Sequence, residues 1–378
     1  MIVDLPSTTT SSVSKKLVAL REDVGSMALS RVLTLIVVVD DNGAESAITT
    51  AMAASRQHPC RILVVVTGNR RGAVRLDAQI RVGGDAGASE VVVLRLYGPL
   101  ASQGRSVVTP LLLADSPIVA WWPGAAPADP GADPVGAIAQ RRITDAARTP
   151  GKPRTVLGKF ADAYLDGDTD LAWSRITLWR GLLAAALDQA PYEAVTRARV
   201  VAAPDSPSGD LLAGWLAVRL KVPVDLTRSA NRSGIISVRL DRASGPVDLV
   251  RPQDGNVATL HQSGQPDRTI ALPHRSDAEC LADELRRLDP DEVYQDALTK
   301  GLPKVTASRQ SAAQAERSGK APSVKDSART AARLRRKART GASSAMVEAK
   351  PAAPAAAERA VVPKVGRKRP PAQAKPSA

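Results

Sequence analysis

Two tryptophans and two arginines fall within Asp170-Leu171-Ala172-Trp173-Ser174-Arg175-Ile176-Thr177-Leu178-Trp179-Arg180, in a 378-residue chain that has five tryptophans, four tyrosines and one phenylalanine. At about 100° per residue, Trp173, Ile176, Arg180, Leu183 and Leu187 share one side of a helix, with Trp179 on its flank. A guanidinium then sits in an apolar stripe. Leaving a buried arginine unpaired costs roughly 3–5 kcal/mol, so Arg180 must meet a carboxylate of its own chain, a carboxylate of another chain, or an anionic ligand. Two further segments have similar chemistry: Trp121-Trp122, and Arg141-Arg142-Ile143-Thr144-Asp145. Tandem tryptophans on a strand send their rings to opposite faces, so that one can join the core while the other faces a partner. Asp145 and Asp170 are internal partners for Arg142, Arg175 or Arg180, which makes the arginines structural. The other reading takes Trp121, Trp122, Arg142, Trp173, Trp179 and Arg180 as the lining of an exposed groove, because these residue types concentrate at interface hot spots and suit sugar phosphates.

Catalytic and metal-binding groups are sparse. His58, His261 and His274 have no local pairing, and no Cys-x-x-Cys, His-Glu-x-x-His, Gly-x-Ser-x-Gly or Gly-x-x-x-x-Gly-Lys-Ser/Thr motif is present. The nearest phosphate-loop candidate is Gly68-Asn69-Arg70-Arg71-Gly72, but no helix is expected after it, and it reads as a basic turn. No metal and no cofactor are expected. Cys60 and Cys280 lack ligand or thioredoxin-type spacing and are expected to stay free in a reducing compartment.

Charge separates body from tail. From residue 301 onward lie 18 of the 52 Lys and Arg but four of the 38 Asp and Glu. The tail thus carries the whole net charge of +14, and residues 1–300 balance at 34 basic and 34 acidic side chains. It lacks aromatic residues and is rich in Ala, Pro, Lys, Arg and Ser, a composition that cannot bury enough apolar surface to offset chain entropy. A disordered basic tail over 301–378 is expected, with a short helix over 328–340 on binding something acidic. Such tails bind nucleic acid weakly through phosphates; the alternative is a solubilising appendage. No run of about 18 apolar residues exists, and the N-terminus lacks a secretion-signal layout, so no membrane association and a cytoplasmic location are expected.

The elements that position these residues follow from periodicity. Helices are expected at 13–22, 44–58 and 105–114, and nearly continuous β-branched strands at 31–39 and 61–67 joined by a parallel crossover. Strands at 76–82 and 90–96 flank the glycine-rich 83–87 as an antiparallel pair, and 117–122 is a strand stopped by Pro123-Gly124. A helical section spans 159–189, followed by a strand at 196–203 and an apolar helix at 211–220 containing Trp215. Four short alternating segments at 235–240, 247–251, 257–261 and 268–272 read as an antiparallel meander. Helices at 276–288, opened by a Ser276/Glu279 capping box, and at 290–300 close the body. The expected architecture is α/β: an N-terminal mixed-sheet domain (1–150), a second α/β domain with the meander (151–300), and the tail.

Several blocks, in this order, carry a family resemblance: Ile2-Val3-Asp4-Leu5-Pro6, Arg31-Val32-Leu33-Thr34-Leu35, His58-Pro59-Cys60-Arg61, Ile118-Val119-Ala120-Trp121-Trp122-Pro123-Gly124, Arg141-Arg142-Ile143-Thr144-Asp145, the 170–180 segment, and Leu211-Leu212-Ala213-Gly214-Trp215-Leu216. Over residues 1–300 the chain resembles the OpcA family of glucose-6-phosphate dehydrogenase assembly proteins of actinobacteria and cyanobacteria. Its Ala, Arg and Val content suits a high-GC actinobacterial source. The resemblance implies a non-catalytic partner that binds glucose-6-phosphate dehydrogenase, promotes its active oligomer and supports NADPH production in the oxidative pentose phosphate pathway. No residue roles are carried over from it, and the tail lies outside the shared blocks. The rival readings are an enzyme acting on a sugar phosphate, held back by the missing acid/base constellation, and a nucleic-acid-binding protein working through its tail.

Overall fold

The computed structural model describes residues 1–24, 32–82, 90–229, 233–252 and 255–309. The expected glycine turn at 83–87, the strand start at Arg31 and residues 310–378 of the basic tail, with its 328–340 helix, lie outside the described residues. The strands β1 Ile2–Leu5, β2 Thr34–Asp40, β3 Arg61–Thr67, β4 Arg75–Val82, β5 Glu90–Tyr97, β6 Ile118–Trp121, β7 Arg141–Thr144 and β8 Asp168–Asp170 form one sheet, ordered β1-β4-β5-β3-β2-β6-β7-β8. From β5 to β8 the neighbours run parallel, while β4 is antiparallel to β5 and β1 to β4. The helices are α1 Thr10–Val24, α2 Ala44–Ser55, α3 Gly104–Val108, α4 Pro153–Asp162, α5 Leu171–Ser174, α6 Thr177–Leu187, α7 Pro207–Leu220, α8 Asp277–Arg286 and α9 Glu292–Gln295.

Strand β2 is aliphatic at almost every position because helices cover both of its faces. Leu35 and Val37 pack with α2 and α8, and Ile36 packs with α1 and α3. The chain leaves β2 through α2 to β3 on one side and later returns through α3 to β6 on the other. Strand order therefore reverses between β2 and β6, where the carboxyl ends of parallel strands leave a crevice. The second sheet contains β9 Arg197–Ala202, β10 Val224–Arg228, β11 Ile235–Asp241, β12 Val247–Val250, β13 Val257–Gln262, β14 Arg268–Ala271 and β15 Val305–Arg309, ordered β14-β13-β12-β11-β9-β10-β15. α7 crosses between parallel β9 and β10, and β11 to β14 are the expected antiparallel meander. Trp173, Ile176, Trp179, α7 and Leu298 fill its core.

Several expectations need correction. The helical section 159–189 is broken into α4, a strand and two short helices. Asp170 is extended, at φ −139° and ψ 138°, and its carboxylate caps Ala172 N while receiving Thr144 Oγ1 and Ala146 N. Those bonds hold the polar Asp168-Thr169-Asp170 as a buried edge strand, which apolar periodicity does not signal. The helix at 105–114 stops at Val108 and tightens into a 3-10 turn at Thr109–Leu111, where Pro110 supplies no backbone donor. Elements cross both expected divisions: β8 extends the first sheet past residue 150, α8 returns to cover that sheet, and β15 follows residue 300. The capping box of α8 is present on both sides, Ser276 Oγ to Glu279 N and Glu279 Oε2 to Ser276 N. The second closing helix ends in a wide π turn, Asp296–Gly301, which touches α7 backbone to backbone. A Cβ on Gly301 would lie 2.1 Å from the Gly214 carbonyl oxygen.

Candidate functional site

Strand alternation does send Trp121 and Trp122 to opposite faces of the first sheet. Helices cover each face, however, so Trp121 joins the α2/α8 layer and Trp122 the α1/α3 layer, both nearly inaccessible. The expected exposed ring is absent. The pair instead closes one end of a groove of about 910 Å³ at the reversal between β2 and β6, lined also by Asp40, Gly43, Gly68 and Arg70. The basic turn 68–72 leads directly into β4, with Asn69 Oδ1 accepting from Arg71 N, and so forms no helix-opening phosphate loop.

Arg142 is a structural residue. It is buried in β7, pairs with Asp168, and donates to the Ala139 carbonyl at 2.8 Å and the Asp166 carbonyl at 2.5 Å. Arg141 beside it pairs with Glu284 of α8 and donates to the Asp289 carbonyl at 2.9 Å. Asp145 serves as an internal partner of Arg175, one of the three expected arginines: two bonds of 2.8 and 2.7 Å join them, and Arg175 also holds Asp277 at 2.7 Å. That arginine therefore ties the end of β7, the α5–α6 corner and the start of α8 together. Asp170 is spent on backbone and hydroxyl donors, as described above. Burial, with Asp145 nearby, pushes its carboxyl up to about 6.

Arg180 has neither expected partner. Its guanidinium lies 3.6 Å over the Trp173 ring and donates to Thr177 Oγ1 at 3.3 Å, while its buried Nε has no acceptor. No carboxylate lies within ion-pair distance of it among the described residues. Burial lowers its pKa to about 10, with Asp291 and Glu284 partly offsetting that, so it remains a cation at neutral pH. Trp173 is buried beneath it and donates Nε1 to Asp291 at 2.8 Å. The two residues line a cleft of about 580 Å³ together with Arg141, Thr177, Arg286 and Asp291. Trp179 is buried in the same core as Trp173 but does not line this cleft. The site's carboxylates, Asp277, Glu284 and Asp291, come from the closing helices, more than a hundred residues downstream. Nothing local to the 141–180 region pointed to them.

Cys60 and Cys280 are buried in the α2/α8 layer and are not joined in a disulfide. Burial pushes the Cys280 thiol up to about 12, which keeps it protonated and a poor nucleophile. No helix among the described residues is long and apolar enough to cross a membrane, and no group of three or more His, Cys, Asp or Glu among them is placed to hold a metal.

Residues 51–161 match the family model described as the glucose-6-phosphate dehydrogenase subunit N-terminal domain, and residues 166–298 match the one described as its C-terminal domain. The junction falls just before β8 and the 170–180 segment. No curated protein matches the chain.

Proposed function

The chain belongs to the OpcA family of glucose-6-phosphate dehydrogenase subunits, and on that premise we propose that it is a non-catalytic factor that binds the dehydrogenase and promotes its active oligomer, supporting NADPH production in the oxidative pentose phosphate pathway. The observation that carries the reading is the pair of matches in chain order across both halves of the body. Its mechanism is linkage. A factor with higher affinity for the assembled enzyme than for its dissociated or less active form shifts the population toward assembly, limited by the difference in affinities.

The contact is the cleft of Trp173 and Arg180. A guanidinium stacked on a tryptophan, partly desolvated and, among the described residues, with Asp291 and Glu284 near but no carboxylate within ion-pair distance, suits an acidic side chain on the dehydrogenase. Trp121, Trp122, Trp179 and Arg142 act from inside the body by holding the sheets that present it. Titrating purified dehydrogenase with the protein tests the reading, with activity and sedimentation followed together. Both rise if it acts as an assembly factor; no change in either sinks the proposal.

A further inference from the structure

A second arginine with no carboxylate lies deeper than Arg180. Arg251 follows β12 and is 6 % exposed, as buried as Arg142. Arg141 and Arg142 each hold a carboxylate, but Arg251 has none within ion-pair distance among the described residues. Its guanidinium makes only two long bonds of 3.4 Å, to the Leu272 and Ile235 carbonyls, and lies 5.3 Å from the Trp179 ring. Desolvation drives it below its ordinary pKa.

Arg251 lines a small cavity of about 80 Å³ together with Arg175, Arg275, His274, Ser208 and Gly234, and no carboxylate is among the lining residues. Arg175 is neutralised by Asp145 and Asp277, and Arg275 by Asp283, so the charge of Arg251 is the one left over. Ser208 belongs to the first turn of α7, a fourteen-residue helix whose positive end is therefore at the cavity wall. The cavity sits where β9 ends and β11 begins, with Ala202 paired to Ile235. Burying the Arg251 cation at a positive helix end without a carboxylate in reach is unfavourable unless an anion shares the space.

We propose that this cavity is a binding site for a phosphate-type oxyanion, either inorganic phosphate or the phosphate group of a sugar phosphate. Donors line the space from more than one element, the Arg251 guanidinium, the His274 ring and Arg275, while the Ser208 hydroxyl beside them donates to the Ala172 carbonyl at 2.9 Å. A tetrahedral oxyanion offers acceptors in all of those directions, whereas a flat carboxylate offers only two oxygens in one plane. The site is independent of the assembly reading and of the Arg180 cleft.

The test is thermal unfolding and titration calorimetry of the full chain in a zwitterionic buffer, adding sodium phosphate, glucose 6-phosphate or sodium acetate against sodium chloride of equal ionic strength. Phosphate or glucose 6-phosphate is expected to raise the Tm by a few degrees and to bind with 1:1 stoichiometry. A response to both assigns a site that accepts free and esterified phosphate, and a response to one identifies the source. Arg251→Met is expected to weaken binding at least tenfold without lowering the Tm in the absence of phosphate. Gly234→Asp places a carboxylate beside the guanidinium at a φ of +62° that Asp tolerates, since its Cβ lies 3.5 Å from Arg251 Nη2. It should raise the Tm without phosphate and abolish the phosphate response, which keeps the test decisive even if Arg251→Met does not fold. No response beyond that of sodium chloride, an equal response to acetate, or a phosphate response that Gly234→Asp leaves unchanged would overturn the proposal.

Discussion

Arg142 and Arg180 lie in neighbouring segments that look alike in sequence, yet among the described residues only Arg142 has a carboxylate within ion-pair distance. Arg142 is enclosed by Asp168 and two carbonyls in a buried strand. Arg180 rests on a tryptophan at the wall of a cleft and, among the described residues, has no carboxylate within ion-pair distance. A saturated arginine can stabilise only what is already folded, whereas one with an idle charge has interaction energy left for another molecule. Proximity in sequence, and even a shared Trp/Arg composition, therefore says little about which arginine touches a partner.

The contrast can be broken most forcefully at Asp168. Replacing it with alanine strands the buried Arg142 charge and is expected to lower unfolding stability by about 3–5 kcal/mol in urea titration. A loss below about 1 kcal/mol would mean that Arg142 is not held as described. Arg180→Glu should do the reverse, shifting stability by less than about 1 kcal/mol while weakening affinity for the dehydrogenase at least tenfold, read by biolayer interferometry. Equal affinity of variant and parent would remove the cleft from the interface.

Asp170 sharpens the comparison through pH. Its folded-state pKa, about 6, is above the ordinary carboxylate value, so the native state binds the extra proton more readily. Its contribution to stability is present in full below the ordinary pKa and is lost as pH rises through about 6. The parent should therefore gain on the order of 1 kcal/mol or more relative to Asp170→Asn when urea unfolding is moved from pH 7 to pH 5. A constant difference between the two proteins would contradict the buried-carboxyl description. The smallest effect is expected at Ser276, whose hydroxyl caps the helix that delivers Asp277 and Glu284 to the arginines. Ser276→Ala should cost about 1 kcal/mol of stability and leave dehydrogenase affinity within twofold.

Much of the fold was legible because its signals are local. The β-branched runs of β2 and β3, the α2 crossover between them, the four-strand meander and the Ser276 capping box all lie within a few residues of the features that specify them. β7 and β8 were not legible. Their sequences, Arg-Arg-Ile-Thr and Asp-Thr-Asp, are polar, and they pair as strands only because each charge is met across the sheet or by a later helix. β15 follows the last predicted helix and forms by pairing with β10, a register no local pattern encodes.

For the functional surface the division is sharper. Residue types alone were enough to single out the Trp/Arg segment and the apolar face that Trp173, Ile176 and Leu183 share, because side-chain chemistry and helical period are properties of the chain itself. Which carboxylates are available was a matter for tertiary structure. Glu284 reaches Arg141 from 143 residues away, Asp277 reaches Arg175 from 102, and among the described residues none reaches Arg180 or Arg251 within ion-pair distance. Charge pairing acts through space over a few ångströms, so only the folded chain reveals which cations are already satisfied and which are left for another molecule.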